Sequence, residues 1–182
     1  MPDSQVPTSI ARRLIQPSFT AGQFTSTQFT SAADKAAFAN KLVRFLAQDC
    51  PEPSFAKGFY RALSNSFGHI AHYNLAGFYG EFFRTTTDKI AFVRQTIEYP
   101  AYGLPEFTFC DVERAVGTRV GASGLLIHLR VLRDAETEQA ERAQLERLKA
   151  KYEPQTEPMA RREPPQRNPF DLTQGNWSPR GN

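Results

Sequence analysis

Residues 31–51 read SAADKAAFANKLVRFLAQDCP, and this stretch decides the fold class. Ser31-Ala-Ala-Asp34 has the form of a capping box, with Asp where Glu or Gln is usual, and it puts a carboxylate in the first turn. Phe38, Leu42, Phe45 and Leu46 follow at i, i+4, i+7 and i+8, which is one apolar stripe on a helix. Pro51 ends it, because the residue before a proline is pushed out of the helical region. The same grammar repeats downstream. Ser54 is a candidate cap for a second helix with Phe55, Phe59, Leu63 and Phe67 inward. Residues 69–83 carry Ile70, Tyr73, Leu75, Phe78, Tyr79, Phe82 and Phe83, a third helical pattern weakened by Gly77 and Gly80. Thr85-Thr-Thr-Asp88 caps a fourth, with Ile90, Val93 and Ile97, closed by Pro100. These patterns predict a mostly α protein.

Between Pro100 and Cys110 the period changes. Glu106-Phe-Thr-Phe109 alternates, so one short strand or hairpin is expected near 104–110. Asp111 opens another helical segment through Val112, Ala115 and Val116, which Gly117, Gly121 and Gly124 are expected to interrupt. A long charged C-terminal helix then runs from Ser123 or Gly124 to about Glu153. Leu125, Leu129 and Leu132 make its core-facing stripe, and Leu145, Leu148 and Tyr152 make a second one. No large apolar residue stands between Arg133 and Gln144. A helix written this way leaves the core and offers Leu145 and Leu148 to another surface, including that of a second copy. Residues 55–109 hold nine Phe and five Tyr, about twice the 12% aromatic share of the chain. The core of this compact domain is therefore expected to be built of rings, each burying a large area.

The ends read differently, and the expected organisation is an arm (1–30), a helical domain (31–153) and a tail (154–182). Residues 1–30 are rich in Ser, Thr and Gln, are broken by Pro2, Pro7 and Pro17, and contain a five-residue repeat that places Phe19, Phe24 and Phe29 in register. A period of five suits neither strand nor helix, so an extended arm with three anchors is expected. Three rings alone do not offset the backbone entropy of ordering roughly fifteen residues. Something must receive them, either the protein's own core or a partner. Residues 154–182 hold six Pro among polar and charged groups, a composition that cannot build a core. The only Trp, Trp177, lies there with Phe170. Both are candidate docking anchors, and disordered termini are expected.

Composition removes several classes. The 182 residues carry a formal charge of +3, but it is spread evenly. Arg12 and Arg13 stand against Asp3 in the first 33 residues, four Arg stand against three acids after 153, and the middle is nearly balanced. No segment is a basic domain of the kind that neutralises many phosphates. No stretch approaches the roughly 20 apolar residues of a membrane span, and Arg12-Arg13-Leu14-Ile15 followed by Pro17 lacks the apolar segment of a signal peptide. Two unpatterned cysteines, Cys50 and Cys110, do not form a disulfide framework. A cytoplasmic protein without a cofactor is expected.

Candidate chemistry is sparse. His69 and His72, three apart, would share a helical face, and Glu81 could join them at a metal, but two imidazoles fall short of a zinc ligand set and no HExxH is present. Ser64 and Ser66 beside His69 suggest a nucleophile and a base without any nucleophile elbow. Gly117–Gly124 before a helix has neither dinucleotide nor P-loop spacing. The leading expectation is a non-enzymatic protein-interaction module, an adaptor, inhibitor or assembly component. It would dock on a larger complex through Phe19, Phe24, Phe29, Leu145, Leu148, Phe170 and Trp177. The first alternative is a nucleic-acid-binding accessory protein using Lys57, Arg61, Arg114, Arg119 and Arg130. The second is a metal-dependent enzyme using His69, His72 and Glu81.

Overall fold

The computed structural model describes residues 6–67, 74–98 and 102–153. Among them are seven α-helices and no strand: α1 Thr8–Ile15, α2 Ala32–Ala47, α3 Lys57–Ser66, α4 Leu75–Phe82, α5 Thr86–Glu98, α6 Cys110–Ser123 and α7 Leu125–Tyr152. The mostly helical class holds. Two compact units divide the chain, Met1–Ala140 and Glu141–Asn182.

Local chemistry explains most boundaries. Ser31 Oγ accepts the Asp34 N–H at 3.1 Å and donates to the Asp34 carboxylate at 2.7 Å, starting α2. Thr85 and Asp88 close a reciprocal box at the start of α5, with bonds of 3.0 and 3.1 Å between each side chain and the other's backbone N–H. Asn74 caps α4 by accepting the Gly77 N–H. The end of α2 turns through Asp49 and Cys50, both at positive φ, with the Cys50 N–H reaching back to the Phe45 carbonyl. Lys89 holds that corner through Asp49 at 2.7 Å.

Four expectations are corrected. Ser54 does not cap α3: residues Glu52–Ser54 form a short 3-10 turn, and α3 begins after Ala56 with no side-chain cap. Residues 104–110 form no strand, because Gly103 sits at φ 108 and the Leu104 carbonyl collects the N–H groups of Phe107 and Thr108, which winds the segment into a turn. Gly117 and Gly121 do not break α6, which runs through both, and only Gly124, at φ 84, separates it from α7. The cost of a mid-helix glycine is only about 1 kcal/mol, and Val112, Val116 and Val120, all fully buried, outweigh it. Finally, residues 8–15 are not extended. They form α1, whose Ile10 and Leu14 are buried in the common core.

The first unit is organised around α6, which packs against α1, α2, α3 and α5. Its interior is a continuous set of rings. Phe83 lies 5.1 Å from Phe45 and 4.8 Å from Phe92, both edge-on, and Phe78 lies 4.7 Å from Phe82. Such offset pairs add about 0.5–1.5 kcal/mol each beyond area burial. In the second unit the described residues continue α7 to Tyr152, with Leu145, Leu148 and Tyr152 exposed.

Candidate functional site

The residue that organises the most distinctive surface is a lysine with no solvent exposure. Lys35, on the first turn of α2, is 0% exposed. Its Nζ donates to the carbonyls of Pro105 and Thr108, each at 2.8 Å, and to Asp111 Oδ1 at 3.0 Å. It also lies 5.3 Å from the Phe109 ring centroid. Asp111 is satisfied from its other side by the N–H groups of Thr25 and Val112, both at 2.9 Å. A buried ammonium is tolerated only when paired and fully hydrogen-bonded, and here it is both. One ion pair thus ties α2, the start of α6, the 102–109 loop and the residue after Phe24 into one body.

That body displays two rings to solvent. Phe29 is 89% exposed and Phe107 is 80% exposed. Both border one groove of about 420 Å³, together with Thr27, Asn65, Glu106 and Phe109. Neither ring is on slack chain. Thr27 Oγ1 accepts the N–H groups of Phe29 and Thr30 at 3.2 and 3.0 Å, the Thr27 N–H donates to the Thr30 carbonyl at 2.9 Å, and Ser26 Oγ accepts the Ala32 N–H. Across the groove, Phe107 sits in the turn closed on Leu104, whose carbonyl also accepts Thr108 Oγ1 at 2.9 Å. Tyr102 and Leu104 are exposed on the same loop.

The sequence-predicted anchors separate. Phe19 and Phe24 are 6% and 8% exposed, with ring centroids 5.9 Å apart, and they belong to the protein's own core, not to a partner. The receiver is internal. Asn40 brackets Phe19, accepting its N–H at 2.8 Å and donating to its carbonyl at 2.9 Å, while the Arg119 guanidinium covers the ring at 3.9 Å. Phe29 alone of the three stands out in solvent. Leu145 and Leu148 are exposed on α7. Phe170 and Trp177 lie outside the described residues, as do His69 and His72. Glu81 is exposed on α4, and among the described residues no group of three His, Cys, Asp or Glu side chains converges on a metal position. Gly117–Gly124 offers no glycine loop for phosphate, since residues 117–123 are helical.

Of the basic residues, Arg114 and Arg119 meet at a second groove with Arg13, whereas Lys57, Arg61 and Arg130 do not border it. Burial displaces four titrations among the described residues of the first unit, raising those of Cys50, Tyr79 and Glu113 and lowering that of Arg119. Burial pushes the Cys50 thiol up to about 12, with Lys89 opposing, so it is not a nucleophile at neutral pH. Burial raises the Glu113 carboxyl to about 7, partly offset by Arg114.

No family model, no curated protein and no solved structure matches the chain. What the fold and surface define is an α-helical domain with a preorganised aromatic face. Among the described residues no helix is long and apolar enough to cross a membrane.

Proposed function

We propose that the chain is a protein-interaction module, an adaptor, inhibitor or assembly component acting without chemistry of its own in the cytoplasm, and that it docks through the Phe29–Phe107 face. The single observation that supports this reading is the pairing of near-complete ring exposure with rigid support from the buried Lys35–Asp111 pair. Preorganised aromatic anchors lose little conformational freedom on binding, and such residues dominate interface energetics. The partner this face suits is a protein with two adjoining apolar pockets and a cation to meet Glu106, which borders the same groove. Leu145, Leu148, Phe170 and Trp177 would add separate contacts in a larger assembly. Affinity capture with the intact chain, compared with a Phe29→Ser/Phe107→Ser variant, tests the reading. A partner recovered by the first and lost by the second is expected. Equal recovery by both would overturn it.

A further inference from the structure

The second groove carries an independent assignment. It encloses about 620 Å³ between α1, the Phe19–Gln23 segment and α6, and three arginines border it without any Asp or Glu among the bordering residues. Arg119 is held from behind: both hydrogens of its Nη1 are used by the carbonyls of Leu14 (3.2 Å) and Pro17. Its Nε and Nη2 find no acceptor among the described residues. The Arg13 side chain has neither a hydrogen bond nor an ion pair among the described residues, and Arg114 makes one weak contact, from Nη2 to Cys110 Sγ at 3.2 Å, beside an electrostatic interaction with Glu113, which does not border the groove. Three guanidinium groups around one concavity repel each other unless an anion sits between them. A fixed guanidinium with a free donor edge matches the oxygens of a phosphate in forked geometry. Gln16 and Gln23 add neutral donors, and Ala115 and Ala122 line an apolar stretch of wall. The volume lies within the range of small-molecule sites, roughly 300–1,000 Å³, and is larger than a bare phosphate needs.

We infer that this groove binds a small phosphomonoester whose phosphate is gripped by Arg13, Arg114 and Arg119 and whose organic group lies along the apolar wall. The inference does not rest on the aromatic face. Inorganic phosphate and phenyl phosphate are the probes, titrated calorimetrically into the full chain at constant ionic strength. Saturable phenyl phosphate binding with a Kd of about 1 mM or tighter is expected, with inorganic phosphate weaker. Arg13→Gln/Arg114→Gln, at two exposed positions, should weaken it about tenfold or more, with far-ultraviolet circular dichroism showing that the variant keeps its helical fold. Arg119→Lys, which keeps the charge and loses the fork, should also weaken it. No saturable binding of either probe, or affinity in the double variant within about twofold of the parent, would overturn the assignment. So would displacement of phenyl phosphate by poly(U) with a steep salt dependence, since that would make the groove a track for a polymer backbone.

Discussion

Replacing Lys35 by Met removes the charge and keeps much of the stem. In the parent, the ammonium satisfies two backbone carbonyls and a carboxylate within 2.8–3.0 Å. The variant leaves the Pro105 and Thr108 carbonyls without that donor, at about 1–3 kcal/mol for each buried group left unpaired. Asp111 keeps the Thr25 and Val112 N–H bonds, so its charge is not fully abandoned. The sum is limited because the 102–109 loop can open and hydrate. The expected loss is therefore about 3–5 kcal/mol, the range for breaking a buried pair from one side. For a domain of this size that lowers Tm by roughly 10 °C or more. Guanidinium denaturation followed by circular dichroism reads the difference, with Lys41→Met as control. Lys41 is exposed on the same helix, 5.2 Å from the Phe59 ring, and its loss should cost under about 1 kcal/mol. Removing Asp111 as well should cost less than the sum of the two single changes. A Lys35→Met variant no less stable than Lys41→Met would refute the role given to the ion pair.

Four further outcomes follow from the same structure. Gly124→Ala should destabilise by about 1–2 kcal/mol, because φ 84 is unfavourable for any side chain although the added carbon would meet only Arg13 Nη2, in ordinary contact at 3.7 Å. Gly58→Ala, with nothing within 4 Å of the added carbon, should stabilise by about 0.5 kcal/mol, and chemical denaturation checks both signs. Glu113, raised to about 7 from 4.5, has a folded pKa above its unfolded one, so the fold holds its proton more tightly. The penalty for its charge is absent at acid pH, grows between roughly pH 4.5 and 7, and is complete above that. Glu113→Gln should hence be the more stable protein at pH 8, by on the order of 1 kcal/mol given its partial solvation, and equal to the parent near pH 4.5. Cys50 and Cys110 are both buried, so Ellman's reagent should label neither in the native protein and both after unfolding. Prompt labelling of the native chain would contradict the packing described.

The helices were legible wherever a cap and a stripe coincide locally. Ser31 with Asp34, and Thr85 with Asp88, mark their helix starts within four residues of chain, and Phe38, Leu42 and Phe45 fall on one face. The errors arose where the deciding partner is remote. Lys35 carries no local signal of its role, because its acceptors lie 70–76 residues away. The sequence leaves open whether Phe19 is received by the core or by a partner, because nothing near it in the chain reveals Asn40, which binds its backbone on both sides. α1 did leave a signal in the Ile10–Leu14 spacing just after Pro7, which composition had masked. Phe107 was hidden by the alternation of residues 106–109. Gly103 and the Leu104-Pro105 pair were the better guide to a turn.

The central claim is that Phe29 and Phe107 form one docking face held open by the buried pair beneath it. Site-specific photocross-linking in living cells addresses it most directly, with benzoylphenylalanine placed singly at 29, at 107 and at the exposed control Gln48. The account predicts one discrete adduct of the same mass from positions 29 and 107 and none from 48. Adducts that are indistinguishable among the three positions, or absent from all of them, would contradict it.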